Sequence, residues 1–224
     1  HWVARARELV DYLIKEGTWR DIDGGLRVRS VLGSDLAGTL QDHAWLAEAA
    51  LASAAMGDAA LRTLAVELAE AASRRLGDPH ASGYFLAEDP EGLLPVRQKG
   101  WWDQAVPSGN SSMLAVLATL DTLGLGNSFG ASFQNLAEAY GAATREVPHG
   151  IPRALEAIER AGQGIPWVKS PPGTNPAEIL AKLGPLATEV HLSTATPKGF
   201  ELCRSQSCQG PFSTLDELAL RMRD

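Results

Sequence analysis

Asp103 lies in KGWWDQAVPSGNSSM (residues 99–113), between two adjacent indoles, Trp101 and Trp102, and a cluster of hydroxyl and amide groups, Ser108, Asn110 and Ser111. A second aspartate, Asp42, lies in TLQDHAWLAEAAL (39–51), followed by His43 and, one turn later, Trp45. A flat apolar ring face, a carboxylate and a fan of donors and acceptors are the groups that recognise a sugar or polyol. Two carboxylates can also do chemistry on a glycosidic bond, inverting at ~6.5–9.5 Å separation and retaining at ~5–5.5 Å. Epimerisation instead needs a base such as His43 beside the substrate carbon. Asp42 and Asp103 are therefore the candidate catalytic pair. His43, Trp45, Trp101, Trp102, Ser108, Asn110 and Ser111 are the candidate ligand-binding groups, and no metal or cofactor is expected.

The same residues have structural uses. Ser108 or Asn110 can cap the helix that follows, Pro107 has no N–H to satisfy, and Gly109 allows close approach of a backbone or a ligand. Thr39 is a candidate N-cap, with Asp42 in the first turn complementing the helix dipole. Asp42 and Trp45, three apart, share a helix face, whereas His43 aligns with Ala47, Ala50 and Ala54 and is expected on the core side. Adjacent residues of an extended chain point to opposite sides, so one of Trp101 and Trp102 is expected in the core and the other available. Tyr84 and Phe85 in SGYF, and Arg27 and Arg29 in LRVR, alternate as in short strands and read as loop anchors. No GxSxG, HExxH, GxxxxGK[ST] or GxGxxG pattern occurs, and PPG (171–173) reads as a turn.

Apolar residues recur at helical spacing over 2–16, 38–56, 59–76, 109–124, 127–145 and 149–161. Short breaks, MGD (56–58) and GLGN (124–127), join neighbours into antiparallel hairpins. The two long connections, 17–37 and 77–108, carry the candidate residues or lead directly into them. This alternation of short and long connections predicts a mainly α fold, a partial (α/α) toroid of three hairpins over 1–162, with its long loops gathered on one face. Beyond Gly162 the texture changes: 165–170, 188–194 and 199–205 read as strands, and 176–184 and 213–223 as amphipathic helices with Ser213 as an N-cap. Residues 163–224 are expected to form a small α/β unit.

The chain has 224 residues, 45% hydrophobic, with a net charge of −7. Scattered basic residues argue against nucleic acid or an anionic membrane surface. No apolar run reaches the ~18–20 residues of a membrane span, and the start lacks a signal-peptide layout, so a cytoplasmic location is expected. Because the chain opens inside a helical pattern and its methionines are Met56, Met113 and Met222, it reads as a piece of a longer polypeptide. Cys203 and Cys208 are expected as reduced thiols without metal: the pair supplies half of a structural zinc set, and Cys208 reads as part of a polar turn.

The order LQDHAWLAEAAL, SGYF, RQKGWWDQAVPSGNSS and ELCRSQSCQGPFSTLDEL resembles the C-terminal part of the spermatogenesis-associated protein 20-like family. Those proteins combine a thioredoxin-like domain with a toroid of the six-hairpin glycosidase type, and the resemblance covers nearly the whole chain. Asp42, Asp103, Pro107, Ser108, Gly109, Asn110 and Ser111 keep the family's pattern. His43, Trp101 and Trp102 depart from it, since family members carry a more acidic, tyrosine-bearing first segment and a Tyr-Asp-Gly type second one. The resemblance implies a carbohydrate-active or carbohydrate-binding domain. The alternative is a non-catalytic scaffold working beside a thioredoxin-like domain. Expected partners are a sugar or polyol and either the missing N-terminal part or a second copy of the chain.

Overall fold

The computed structural model describes residues 2–55, 58–184, 190–193, 198–204 and 207–222. Helix α1 (Trp2–Gly17) leads into a two-stranded ribbon, β1 (Thr18–Arg20) and β2 (Leu26–Val28), and then come α2 (Leu40–Ala54) and α3 (Ala59–Leu76). After the long connection follow α4 (Gly109–Thr122), α5 (Phe129–Ala139), α6 (Gly141–Glu146) and α7 (Pro152–Gln163). No helix among the described residues is long and apolar enough to cross a membrane.

Helices α2, α4 and α7 stand side by side, α2 against α4 and α4 against α7, while α3 backs α2, α5 backs α4 and α1 leans on α2. Small residues allow this closeness: Ala44, Ala47, Ala50 and Ala54 on α2 are buried, as are Ala65, Ala69 and Ala72 on α3. Buried Leu40, Leu68, Leu76, Met113, Leu114, Leu117 and Leu120 fill the spaces between. The apolar pattern over 127–145 makes two helices, not one, because the chain breaks at Tyr140, whose side chain is buried at the centre of a polar network.

The C-terminal region has a separate buried cluster around Val168, Ile179, Leu202 and Leu218. Its sheet has the order β4-β3-β5-β6, from β3 (Pro166–Lys169), β4 (His191–Ser193), β5 (Phe200–Arg204) and β6 (Ser207–Phe212), with β3 and β4 parallel and the other pairs antiparallel. Helices α8 (Pro176–Leu183) and α9 (Leu215–Arg221) pack with it. Of the strand expected over 188–194, residues 188, 189 and 194 lie outside the described residues.

Three expectations are corrected. Residues 207–212 form a strand, not a turn, and register places Cys203 directly opposite Cys208. The two thiols, expected free, are joined in a disulfide: antiparallel pairing sets facing residues side by side, which linear spacing does not reveal. Finally, α9 is capped by Thr214, whose Oγ1 accepts from Glu217 N, while Ser213 N donates to the Glu217 carboxylate.

Candidate functional site

The N-termini of α2, α4 and α7 meet, and the residues singled out in 99–113 are what join them. Ser108 caps α4, its Oγ accepting from Ser111 N at 3.1 Å. Asp103 Oδ1 accepts from Ser108 N at 2.7 Å, and Oδ2 accepts from Arg153 N at 2.8 Å. Ile151, the cap position of α7, makes no side-chain cap bond. Asp103 thus supplies from a distant loop the acceptor, and the negative charge, that two helix starts require. A Cβ on Gly109 would lie 2.8 Å from Leu40 Cγ and 3.1 Å from Gln41 N, so the close approach anticipated there is made by α2.

Asn110, Ser111 and Ser108 are buried. The Asn110 amide accepts from Tyr84 N at 2.9 Å and donates to Tyr84 O and Gly100 O, each at 3.0 Å. SGYF is thereby fixed without being a strand; its one ladder contact is the isolated bridge Gly77–Tyr84. Tyr140 OH donates to Trp101 O at 3.2 Å and sits 3.2 Å from Ser111 Oγ, with burial holding its phenol above the usual range. Trp101 meets the Tyr140 ring edge-on at 5.3 Å and packs against the core, while Trp102 is 50% exposed. The two indoles therefore divide as extended geometry requires. Every polar group of this cluster points inward to another part of the chain.

The second predicted segment is also engaged. Thr39 and Asp42 form a capping box, with Asp42 Oδ2 accepting from Thr39 N at 2.7 Å and from Thr39 Oγ1 at 2.8 Å. His43 is 1% exposed and its Nδ1 lies 2.9 Å from Thr39 O. Since a carbonyl only accepts, Nδ1 carries the proton, and Nε2 is buried without a partner among the described residues. Burial, the largest influence, lowers the pKa of this imidazole. His43 is a neutral core group with no route to a substrate. Asp42 and Trp45 do share a face, both lining a cavity of about 280 Å³ with Arg29, Val28, Leu32 and Leu46.

The sequence reading missed the faces that these N-termini present further along each helix. On α2, Gln41, Trp45 and Glu48 recur at i+4 and i+3; on α4, Ser112, Ala115 and Thr119 at i+3 and i+4; on α7, Arg153, Glu156 and Arg160 likewise. Trp45, 38% exposed, donates its indole N–H to Ser112 Oγ at 3.2 Å. Glu48 pairs with Arg153 Nη2, and Arg153 Nη1 holds Glu156. The stripes thus face one another across a groove between α2, α4 and α7, tied by Trp45–Ser112 and Glu48–Arg153. A cavity of about 200 Å³ there is lined by Glu48, Thr119, Arg153, Arg160 and His191, the last from β4 of the C-terminal unit, while Trp45, on the other side of Glu48, lines the cavity of about 280 Å³ that it shares with Asp42. Burial raises the Glu48 carboxyl above its usual range despite the Arg153 guanidinium. Burial also pushes His191 down, to about 4, with the Arg160 and Arg62 charges adding to it.

No family model and no curated protein matches the sequence. The groove must be read from its own chemistry. Charged groups at i, i+3 and i+4 on 149–161 look in sequence like a solvated helix face, and only the packing of α7 on α4 turns them toward a cavity. The signal that could have found them was the recurrence of side chains at i, i+3 and i+4 on three helices, two of which begin at a motif already singled out.

Proposed function

We propose that this chain is a carbohydrate- or polyol-binding helical module, part of an (α/α) toroid of the six-hairpin glycosidase type, that holds its ligand in the groove between α2, α4 and α7. The observation that carries this reading is the partly exposed Trp45, fixed by Ser112, one helical turn from the Glu48–Arg153 pair. An indole face offers a platform for the C–H face of a sugar ring, and a carboxylate beside a guanidinium offers acceptors and donors to its hydroxyls. A two-carboxylate hydrolase is less well supported, because Asp103 has one main-chain N–H on each oxygen. To act as acid or nucleophile it would have to leave two helix starts uncapped.

Thermal-shift screening of neutral and acidic sugars, followed by hydrolysis and epimerisation assays on the hits, tests this. Binding without turnover, weakened about tenfold or more by Trp45→Ala, is the expected result. Product formation abolished by Asp42→Asn would instead make the domain an enzyme. No sugar raising the melting temperature would refute the reading.

The scaffold alternative has its own support in α1, where Trp2, Leu9 and Tyr12 are 83%, 56% and 53% exposed. Such residues suit a covering partner, either a further part of the polypeptide or a second copy. Light scattering over a concentration series checks the second copy: mass rising toward a dimer supports it, and a constant monomer mass excludes it.

A further inference from the structure

Resting on the reading just proposed, the far end of the groove shows what kind of sugar it would take. Glu48 and Glu156 are both held by Arg153. Arg160, one turn further along α7, pairs among the described residues with Glu156, at 3.5 Å, a carboxylate already engaged and 48% exposed. The His191 side chain makes no hydrogen bond among the described residues and closes the same cavity from β4. Two donors with unspent hydrogen-bonding capacity therefore border one cavity, and the charges acting on the imidazole are both cationic, Arg160 and Arg62. Thr119 adds a hydroxyl on the α4 wall, its own proton donated to Ala115 O at 3.0 Å, so that its oxygen is left as an acceptor. A neutral sugar would leave this guanidinium with only its 3.5 Å share of Glu156, whereas a planar or tetrahedral oxyanion would meet it with charge-assisted bonds.

We infer that the groove ends in a subsite for an anionic substituent, a carboxylate or a phosphate, placed between Arg160 and His191, so that the ligand is an acidic or phosphorylated sugar. The cavity of about 200 Å³ is roomy enough for such a group but not for a whole additional ring system with its substituents. The carbohydrate ring would lie toward Trp45, one to two helical turns away along α2.

Isothermal titration of the intact chain with D-glucose, D-glucuronate and D-glucose 6-phosphate decides the matter. At least one anionic sugar should bind about tenfold more tightly than glucose, and comparing the two separates carboxylate from phosphate. Arg160→Gln should erase that advantage, bringing the anionic sugars down to the affinity of glucose for the same variant, while Arg160→Lys, which keeps the charge, restores most of it. Should the glutamine variant fail to fold, raising NaCl from ~0.05 to ~0.5 M on the wild type must shrink the anionic advantage and spare glucose. Glucose binding as tightly as both anions, or an advantage that survives Arg160→Gln, overturns the subsite and leaves sugar binding standing. If none of the three binds, and no other sugar in the thermal-shift screen does, both readings fall.

Discussion

Replacing Asp103 by alanine removes at one stroke the acceptor for Ser108 N and Arg153 N. Each helix-start bond is worth ~0.5–2 kcal/mol, so Asp103→Ala is expected to destabilise by about 1–4 kcal/mol in urea unfolding followed by circular dichroism. A loss under ~0.5 kcal/mol would contradict the stapling role. Asn110→Ala, which strands the Tyr84 amide and two carbonyls in the interior, is expected to cost about 2–3 kcal/mol. The histidines add a pH dependence. His43 and His191 are both lowered, His191 to about 4, so below ~6.5 the unfolded chain binds protons that the native one refuses. Stability should therefore fall as pH drops from ~6.5 toward 4, with a slope up to ~1.4 kcal/mol per pH unit from each site. Glu48, raised by burial, works in the opposite sense. His191→Gln should flatten the acid limb relative to wild type; an unchanged limb would show that His191 does not titrate in this way.

Among elements, those whose signals are local were legible. Thr39 and Ser108 cap α2 and α4 as their residue types predict, and His43 joins Ala47, Ala50 and Ala54 inside. The strand β6 was not legible, because SCQGPF carries Gly and Pro and is extended only by pairing with β5. That pairing produces the Cys203–Cys208 disulfide, which closes a short loop. Chain entropy gives such a loop about 2 kcal/mol, so reduction should lower the unfolding free energy by about that amount; titration of the unreduced protein should find no free thiol from this pair. The α2–α7 pairing through Glu48 and Arg153 is half-buried, with side chains 27% and 22% exposed. Arg153→Met is expected to cost about 1–3 kcal/mol, between surface and buried values.

At the scale of the whole molecule, the two buried clusters approach each other where β4 meets α2, and the cavity of about 200 Å³ lies at that junction. Of the residues singled out in the sequence, Asp42, Asp103, Ser108, Asn110 and Ser111 are engaged in holding helix starts and loops, while Trp45 borders the proposed groove. WWDQAVPSGNSS and LQDHAW mark where three helix N-termini are tied together, while the proposed groove is bordered by Trp45 and Glu48 along α2, Thr119 along α4, and Arg153 and Arg160 on α7. Motif density was highest where the chain needs most hydrogen bonds to hold itself. The most direct test is chemical-shift mapping of the amide spectrum during titration with D-glucuronate and D-glucose 6-phosphate. Shifts concentrated at Trp45, Glu48, Ser112, Thr119, Arg153, Arg160 and His191 are predicted. Shifts confined to residues 101–111, or none at millimolar ligand, on the order of the weakest specific binding, would contradict the groove as the binding site.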